Sequence, residues 1–128
     1  MSIMLALALA AGQASPECGD LPTQREMNAC AAKQFGDADA EMNARWKEAL
    51  AYMRALDRST SNPPAAGPSN GQALLDAQRA WLAFRDAHCL TVAHYARGGS
   101  MEPMLISLCK AELTRARTAQ LVELMGAM

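Results

Sequence analysis

The chain has 128 residues, with 12 Lys and Arg against 13 Asp and Glu, and a formal net charge of -1 at pH 7. This length fits one domain, the balanced charge excludes a strongly basic nucleic-acid-binding protein, and the 51% of hydrophobic residues excludes wholesale disorder. Alanine is abundant and β-branched residues are scarce, which favours helix over sheet. The composition therefore predicts a small, mostly helical domain and does not indicate a function.

Residues 1–14 are typical of a secretory signal peptide. Residues 3–11 are all apolar, and this run is shorter than the roughly 20 residues that a membrane-spanning helix needs. Small residues at the -3 and -1 positions predict cleavage after Ala14; a hydrophobic helix packed on the core is the alternative. The residues before Cys18 do not form the small apolar context of a lipid-modified cysteine. We expect a periplasmic or secreted domain over 15–128, with no membrane span and no lipid anchor.

The four cysteines agree with export. They are Cys18, Cys30, Cys89 and Cys109. An even number in a small exported domain predicts a disulfide framework, for which four cysteines allow three pairings. The alternative is four buried thiols in a cytosolic protein. The sequence has neither a C-x-x-C motif nor clustered Cys and His, so the spacing does not favour zinc or thioredoxin-like redox chemistry.

The sequence predicts one long helix over 24–57. Thr23 and Glu26 form a capping box at its start. Apolar or small residues then recur at steps of three and four along one helix face: Met27, Ala31, Phe35, Ala38, Met42, Trp46, Ala49, Met53 and Leu56. Gly36 could interrupt this helix, at about 1 kcal/mol relative to alanine. Segment 58–71, with its three prolines, predicts an exposed connection.

Two further helices are predicted, over 72–97 and from Ser100 to about 125. The buried face of the first is predicted to hold Leu74, Ala77, Trp81, Phe84, His88, Thr91 and Tyr95. Glycines 98 and 99 end it, and Ser100 is the predicted N-cap of the next helix. The apolar positions of that next helix include Met104, Leu105, Leu108, Ala111, Ala116 and Leu124.

The turn near Gly99 predicts the disulfide pairing. Cys89 lies ten residues before Gly99 and Cys109 ten residues after it, so an antiparallel hairpin brings the two cysteines level. Cys18 then pairs with Cys30. The predicted fold is all-α: a three-helix antiparallel bundle stapled by the disulfides Cys18–Cys30 and Cys89–Cys109.

Catalytic and metal sites find little support in the sequence. His88 and His94 are six residues apart, which places them on different faces of a helix. Ser100 lacks a nucleophile motif, and a helix cap explains it better. We expect no catalytic residue, no metal and no cofactor. Three charged residues are candidates for ion pairs between helices or for a partly solvated polar face: Arg79, Arg85 and Asp86.

Three segments together resemble the lysozyme inhibitor LprI-like family. Their patterns are T-Q-x-E-M-N-x-C, then A-Q-x-x-W-x-x-x-R-D-x-x-C, then G-S followed by C-x-x-x-L-T-x-x-R; they lie at 23–30, 77–89 and 99–117. The resemblance implies a small exported helical domain. The family is named for a lipoprotein that inhibits lysozyme, and this sequence lacks the lipid-attachment motif.

Two functions follow from the resemblance and the sequence. The first is an exported protein that occupies the cleft of a lysozyme, and the candidate partner-binding turn is Arg97, Gly98, Gly99, Ser100 and Met101. Its Arg97 can pair with a carboxylate, and its Ser100 can donate a hydrogen bond. The second is a periplasmic interaction module with a protein partner other than lysozyme. Its contact surfaces for that partner would be the first long helix and segment 58–71. Neither function is enzymatic, and the oligomeric state stays open.

Overall fold

The structure is a computed structural model that describes residues 15–59 and 66–126. Four α-helices follow one another along the chain: α1 (Ser15–Gly19), α2 (Gln24–Ser59), α3 (Asn70–Val92) and α4 (Glu102–Leu124). A 3-10 helix over His94–Ala96 lies between α3 and α4. The described residues contain no strand, and the predicted all-α, three-helix antiparallel arrangement is confirmed. The predicted signal peptide lies outside the described residues.

Helix α2 is a single helix of 36 residues, which corresponds to about 54 Å. Thr23 caps its start as predicted, because its hydroxyl accepts from the Glu26 N–H at 3.1 Å. The Glu26 carboxylate accepts from the Thr23 hydroxyl at 2.9 Å rather than from a backbone N–H, so the second bond of the predicted capping box differs. The helix continues through Gly36, where an added Cβ would meet nothing within 4 Å. The predicted face is largely confirmed, and its buried members are Ala31, Ala38, Met42 and Ala49. Leu56, the last predicted member, is exposed.

Contacts along the helices give the direction of each one. Near the start of α2, the Asn28 side chain reaches the Ser100 carbonyl at 3.0 Å. Further along, Gln34 contacts Arg115. Helix α4 therefore runs parallel to α2. Helix α3 runs antiparallel to α2, because Gly71 at its start lies beside Asp57 and its later residue Arg85 lies beside Asp39. It also runs antiparallel to α4, because Gln78 bonds Arg117 whereas Cys89 bonds Cys109.

Both predicted disulfides are present. Cys18–Cys30 joins α1 to α2 with a Cα–Cα distance of 5.5 Å, and Cys89–Cys109 joins α3 to α4 with 5.6 Å. Cys18 and Cys89 are fully buried. The second disulfide lies between α3 and α4 where the hairpin about Gly99 brings the two residues level, as the sequence predicted.

The hydrophobic core lies in the half of the bundle away from the 93–101 turn. Its buried centre consists of Met42, Ala49, Leu74 and Leu121. Partly buried apolar side chains pack around this centre: Trp46, Leu50, Met53, Trp81, Leu82 and Met125. None of the described helices has the length and apolar character needed to cross a membrane.

The predicted bounds of α3 were wrong at its C-terminal end. The helix begins at Asn70 after the N-cap Ser69, whose hydroxyl accepts from the Gln72 N–H at 3.1 Å. It ends at Val92 rather than at residue 97. The chain then tightens into the 3-10 helix, as helix C-termini often do.

The predicted buried face of α3 was also largely wrong. Phe84 is 55% exposed and Tyr95 is 77% exposed, and Ala77, His88 and Thr91 are exposed too. Leu74 is buried as predicted, and the other buried residues of α3 are Gly71, Gln78, Arg85 and Cys89. Relative to the predicted face, α3 is rotated about its axis, because Cys89 must face α4 for its disulfide. Gln78 and Arg85 lie on the same face as Cys89 and bond to Arg117 and Thr114 inside the bundle.

Candidate partner-binding surface

The turn between α3 and α4 is built from backbone hydrogen bonds and one glycine. Gly98 has a φ of +81°, a conformation that favours glycine. Its N–H donates to Glu102 Oε1 at 3.1 Å. The Gly99 N–H donates to the Ala96 carbonyl at 2.9 Å, and the Glu102 N–H to the Gly99 carbonyl at 3.3 Å. These bonds fix the conformation of the candidate partner-binding turn, residues 97–101.

Side chains from α2 brace this turn from the side. Asn28 Nδ2 donates to the Ser100 carbonyl at 3.0 Å. Asn28 is itself held by Gln24, whose Nε2 donates to Asn28 Oδ1 at 2.8 Å and contacts Met104 Sδ at 3.7 Å. These contacts tie the turn to the first two turns of α2, and the Cys89–Cys109 disulfide holds together the two helices that the turn connects.

The turn presents a mixed surface to solvent. Arg97, Ser100 and Met101 are exposed, and Arg97 forms no ion pair with any described residue. A groove of about 330 Å³ runs beside the turn and is lined by Leu90, Thr91, His94, Arg97 and Glu102. This surface combines an unpaired guanidinium, a hydroxyl and apolar side chains.

Ser100 does not cap α4, so that prediction was wrong. The N-cap is Met101, which makes no side-chain capping bond. The carboxylate of Glu102 instead bonds the Gly98 N–H, which places the side-chain bond inside the turn. The Ser100 hydroxyl is therefore not engaged in capping and lies on the exposed turn.

A buried arginine organises the middle of the bundle. Arg85 is 7% exposed. Its Nη1 donates to Thr114 Oγ1 at 3.2 Å and lies 3.7 Å from Asp39 Oδ1, and its Nε donates to Asp86 Oδ1 at 3.0 Å. The guanidinium also lies 5.0 Å from the ring centroid of Phe35 and 5.3 Å from that of Trp81. Ion pairing between helices, one of the two sequence interpretations, holds for Arg85 and Asp86. Arg79 is exposed and forms no ion pair with any described residue, which fits the alternative of a solvated polar face.

Two further pairs extend this polar layer. Lys110 lies 3.7 Å from Asp86 Oδ1, so a second cation joins α4 to α3. Arg117 Nε donates to Gln78 Oε1 at 2.9 Å. Burial lowers the pKa of the Arg117 guanidinium, because desolvation disfavours its charged form. Gln78 is 6% exposed and joins α3 to α4 through this bond.

Several residues of the three sequence patterns cap a helix or hold the helices together. Thr23 and Glu26 cap α2, Asn28 braces the turn, and Gln78 and Arg85 form the polar layer with Thr114 and Arg117. The buried positions of Gln78 and Arg85 were not predicted from the sequence. Cys89 carried the information, because a disulfide to α4 places it on the buried face of its helix. Residues 4, 7 and 11 positions before a helical residue lie on the same face, and before Cys89 these are Arg85, Leu82 and Gln78.

The histidines lie apart in the structure. His88 stacks on Phe84, with ring centroids 5.1 Å apart, and His94 lines the groove beside the turn. Within residues 15–59 and 66–126, no group of three or more His, Cys, Asp or Glu side chains is arranged to hold a metal ion.

Comparisons with known proteins extend over most of the chain. A family model described as "Lysozyme inhibitor LprI" matches residues 16–121. An uncharacterized protein of Rhizobium meliloti (strain 1021) is 46% identical over 115 residues, which cover 90% of this chain and 83% of that protein. No solved structure gave a significant match.

Proposed function

Because the chain belongs to the lysozyme inhibitor LprI family, we propose that it binds a lysozyme-type cell-wall hydrolase and blocks it. The protein acts by occupying its partner's cleft and catalyses no reaction itself. The observation that supports this proposal is the braced turn 97–101, which combines a fixed backbone with exposed side chains.

The chemistry of the turn fits a cleft that contains carboxylates. Glycoside hydrolases of this kind use a pair of carboxyl groups that flank the scissile bond. Arg97 has no ion pair with a described residue that binding would have to break. A guanidinium can donate two parallel hydrogen bonds to one carboxylate. The Ser100 hydroxyl supplies a further donor. Because Gly98, Glu102 and Asn28 already fix the turn, little conformational entropy is lost when it binds.

Tyr95 strengthens the turn as an interaction surface. It is the most exposed large apolar residue of the described chain and lies two residues before Arg97. Tyrosine and arginine are enriched among the residues that dominate binding energy at protein interfaces. The proposed contact surface therefore extends from Tyr95 through Met101.

Export is part of the proposal. The two disulfides require an oxidising compartment for their formation, and a lysozyme inhibitor must meet its target outside the cytoplasm. We assign residues 1–14 as a signal peptide cleaved after Ala14, and residues 15–128 as a single domain in the periplasm or outside the cell.

The test is inhibition of a c-type lysozyme acting on cell-wall substrate by the oxidised domain. We expect stoichiometric inhibition, because a rigid turn that fills the cleft excludes the substrate. Arg97→Ala should raise the inhibition constant by about 10- to 100-fold, since a hydrogen bond to a charged group contributes about 1.5–3 kcal/mol. The matched control is Arg58→Ala, an exposed arginine near the end of α2, at the opposite end of the bundle from the turn.

Two results would contradict the proposal, one for the contact surface and one for the target. Inhibition that is unchanged in the Arg97→Ala and Ser100→Ala variants would remove the turn as the contact surface. No inhibition at a large molar excess would reject lysozyme as the target. Reduced protein serves as a second control, because opening the Cys89–Cys109 bond releases one of the ties that hold the turn and should weaken inhibition.

A second candidate is an interaction module whose partner is not a lysozyme. The observation that favours it is Phe84, which is 55% exposed and stacks on His88 on the outer face of α3. The proposed contact surfaces of this module also include α2 and segment 58–71, of which residues 60–65 lie outside the described part. Its test is binding of a periplasmic protein that Phe84→Ser abolishes and Arg97→Ala leaves unchanged.

A further inference from the structure

A second groove lies between α2 and α3, away from the turn. It has a volume of about 410 Å³. The residues that line it include Asp39, Asn43, Trp46, Leu75, Gln78 and Arg79. Leu82, which also lines it, precedes the end of α3 at Val92 by 10 residues, which corresponds to about 15 Å along the helix axis, and the turn lies beyond that end. The groove is thus a separate site from the surface proposed to bind lysozyme.

The Gln78 amide is poorly satisfied within the protein. Its Oε1 accepts from Arg117 Nε at 2.9 Å, but its Nε2 is directed at Met42 Sδ, at 3.6 Å. A thioether sulfur is a weak acceptor, and Gln78 is 6% exposed. A nearly buried amide donor at a groove wall is therefore available for a stronger acceptor.

The charged groups of the groove are also loosely paired. The Asp39 carboxylate has contacts of 3.4 Å from Asn43 Nδ2 and 3.7 Å from Arg85 Nη1, both longer than a well-formed hydrogen bond. Arg79 is exposed and forms no ion pair with any residue the structure describes. One groove thus holds an available acceptor, an amide donor and a guanidinium.

We propose that this groove binds a saccharide of one or two pyranose rings. Each sugar hydroxyl both donates and accepts, so a saccharide can satisfy Asp39, Gln78 and Arg79 together in place of solvent. The apolar face of a pyranose ring can pack on the Trp46 indole and on Leu75, which border the same groove. The volume is near the lower end of ordinary ligand pockets, about 300–1,000 Å³, and fits about one to two rings.

A peptide fits this groove less well. Extended peptides gain affinity from backbone hydrogen bonds to an open sheet edge, and both walls of this groove are α-helices whose backbone groups bond within the helix. An occupant of the groove must therefore be recognised by side chains, and these side chains suit hydroxyl groups.

The test is a calorimetric titration of the oxidised protein with the β-1,4-linked disaccharide of N-acetylglucosamine, without lysozyme. We expect saturable binding with a dissociation constant of about 1 mM, because the groove is shallow and open. Asn43→Ala and Arg79→Ala are both at exposed positions, so the fold should persist. Both side chains line the groove, and each variant should weaken binding about three- to tenfold because one side chain that can hydrogen-bond to the sugar is lost. Lys47→Ala, an exposed control in α2 that does not line the groove, should leave binding unchanged.

Several outcomes would overturn the saccharide site. The first is the absence of saturable binding up to about 10 mM saccharide. The second is an affinity of the Asn43→Ala and Arg79→Ala variants for the saccharide that equals that of the wild type. The third is binding of a short peptide, instead of the sugar, that both variants weaken. Inhibition of lysozyme is measured on the same variants and should not change. Loss of sugar binding with intact inhibition, or the reverse, therefore separates this proposal from the proposed function.

Discussion

Removal of the Cys89–Cys109 disulfide tests how the bundle is held together. The bond closes a loop with a sequence separation of 20. In the chain-entropy relation, a loop of that length restricts the unfolded chain by about 3.3 kcal/mol at 25 °C. The double variant Cys89→Ala, Cys109→Ala should therefore lose about 3.3 kcal/mol of unfolding free energy, a large part of the 5–15 kcal/mol typical of a small domain.

The assay is urea unfolding followed by the helical circular dichroism signal. With a slope of about 1.5 kcal/mol per molar urea, the midpoint should fall by about 2.2 M. The native helix content should be retained in the absence of urea. Lysozyme inhibition by the same variant should weaken, because the disulfide is one of the ties that hold the turn.

The matched control is the other disulfide. Cys18–Cys30 has a sequence separation of 12, for which the same relation gives about 2.8 kcal/mol. However, α1 is a five-residue helix that packs mainly on α2, so without its disulfide it can detach while the bundle stays folded. Because α1 can detach on its own, removal of Cys18–Cys30 should lower the unfolding free energy of the bundle by less than this value. A cost below about 1 kcal/mol for the Cys89–Cys109 pair, or a cost smaller than that of Cys18–Cys30, would refute this reasoning.

Four further changes probe separate features of the fold. Leu121→Ala, at a fully buried position, should cost about 3 kcal/mol in urea unfolding, whereas Leu124→Ala, which is exposed, should cost less than about 1 kcal/mol; equal costs would place the core elsewhere. Gly36→Ala should raise the unfolding free energy by about 0.5–1 kcal/mol, since the added Cβ meets nothing within 4 Å; a loss would contradict a continuous α2. Gly98→Ala should lower it by about 1–2 kcal/mol, because φ is +81°, and an unchanged melting curve would rule out that turn conformation. Asp57 accepts from two backbone N–H groups at the start of α3, which lowers its pKa; its stabilising effect is therefore complete above the unfolded pKa of about 3.9 and is lost as the pH falls through the lower folded value. The melting temperatures of the wild type and Asp57→Asn should accordingly differ at pH 7 and converge at low pH, and a constant difference would contradict this assignment.

Local signals in the sequence were sufficient for α2 and for the disulfides. The apolar spacing from Met27 to Met53 is long enough to specify one helix and its buried face, and the capping box fixes where the helix begins. The equal spacing of Cys89 and Cys109 about Gly99 gave their pairing. In each case the controlling interaction lies within one helix or one hairpin, which is why it could be predicted.

The face of α3 could not be predicted from residue type. Phe84 and Tyr95 suggested an apolar face, yet they are exposed, while Gln78 and Arg85 are buried. Burial of these polar side chains depends on Thr114 and Arg117, which come from a different helix. In the sequence, only the predicted disulfide at Cys89 indicated which face of α3 is turned towards α4.

The candidate sites show the same limit. The glycines and the position of the 97–101 turn were predicted, but its bracing by Asn28 was not, because that bond joins residues 72 positions apart. The groove between α2 and α3 was not predicted either, since its walls depend on the rotation of α3. Side chains brought together by packing leave little trace in local sequence.

The parallel arrangement of α2 and α4 has a practical consequence for attaching the protein to other molecules. Helix α1 and the start of α2 lie in the same half of the molecule as the 97–101 turn, whereas Leu124 lies in the other half. A carrier or sensor surface coupled near Ser15 would therefore crowd the turn, and one coupled after α4 would leave it accessible. Fusions and immobilised forms of this domain are best made through its C-terminal end.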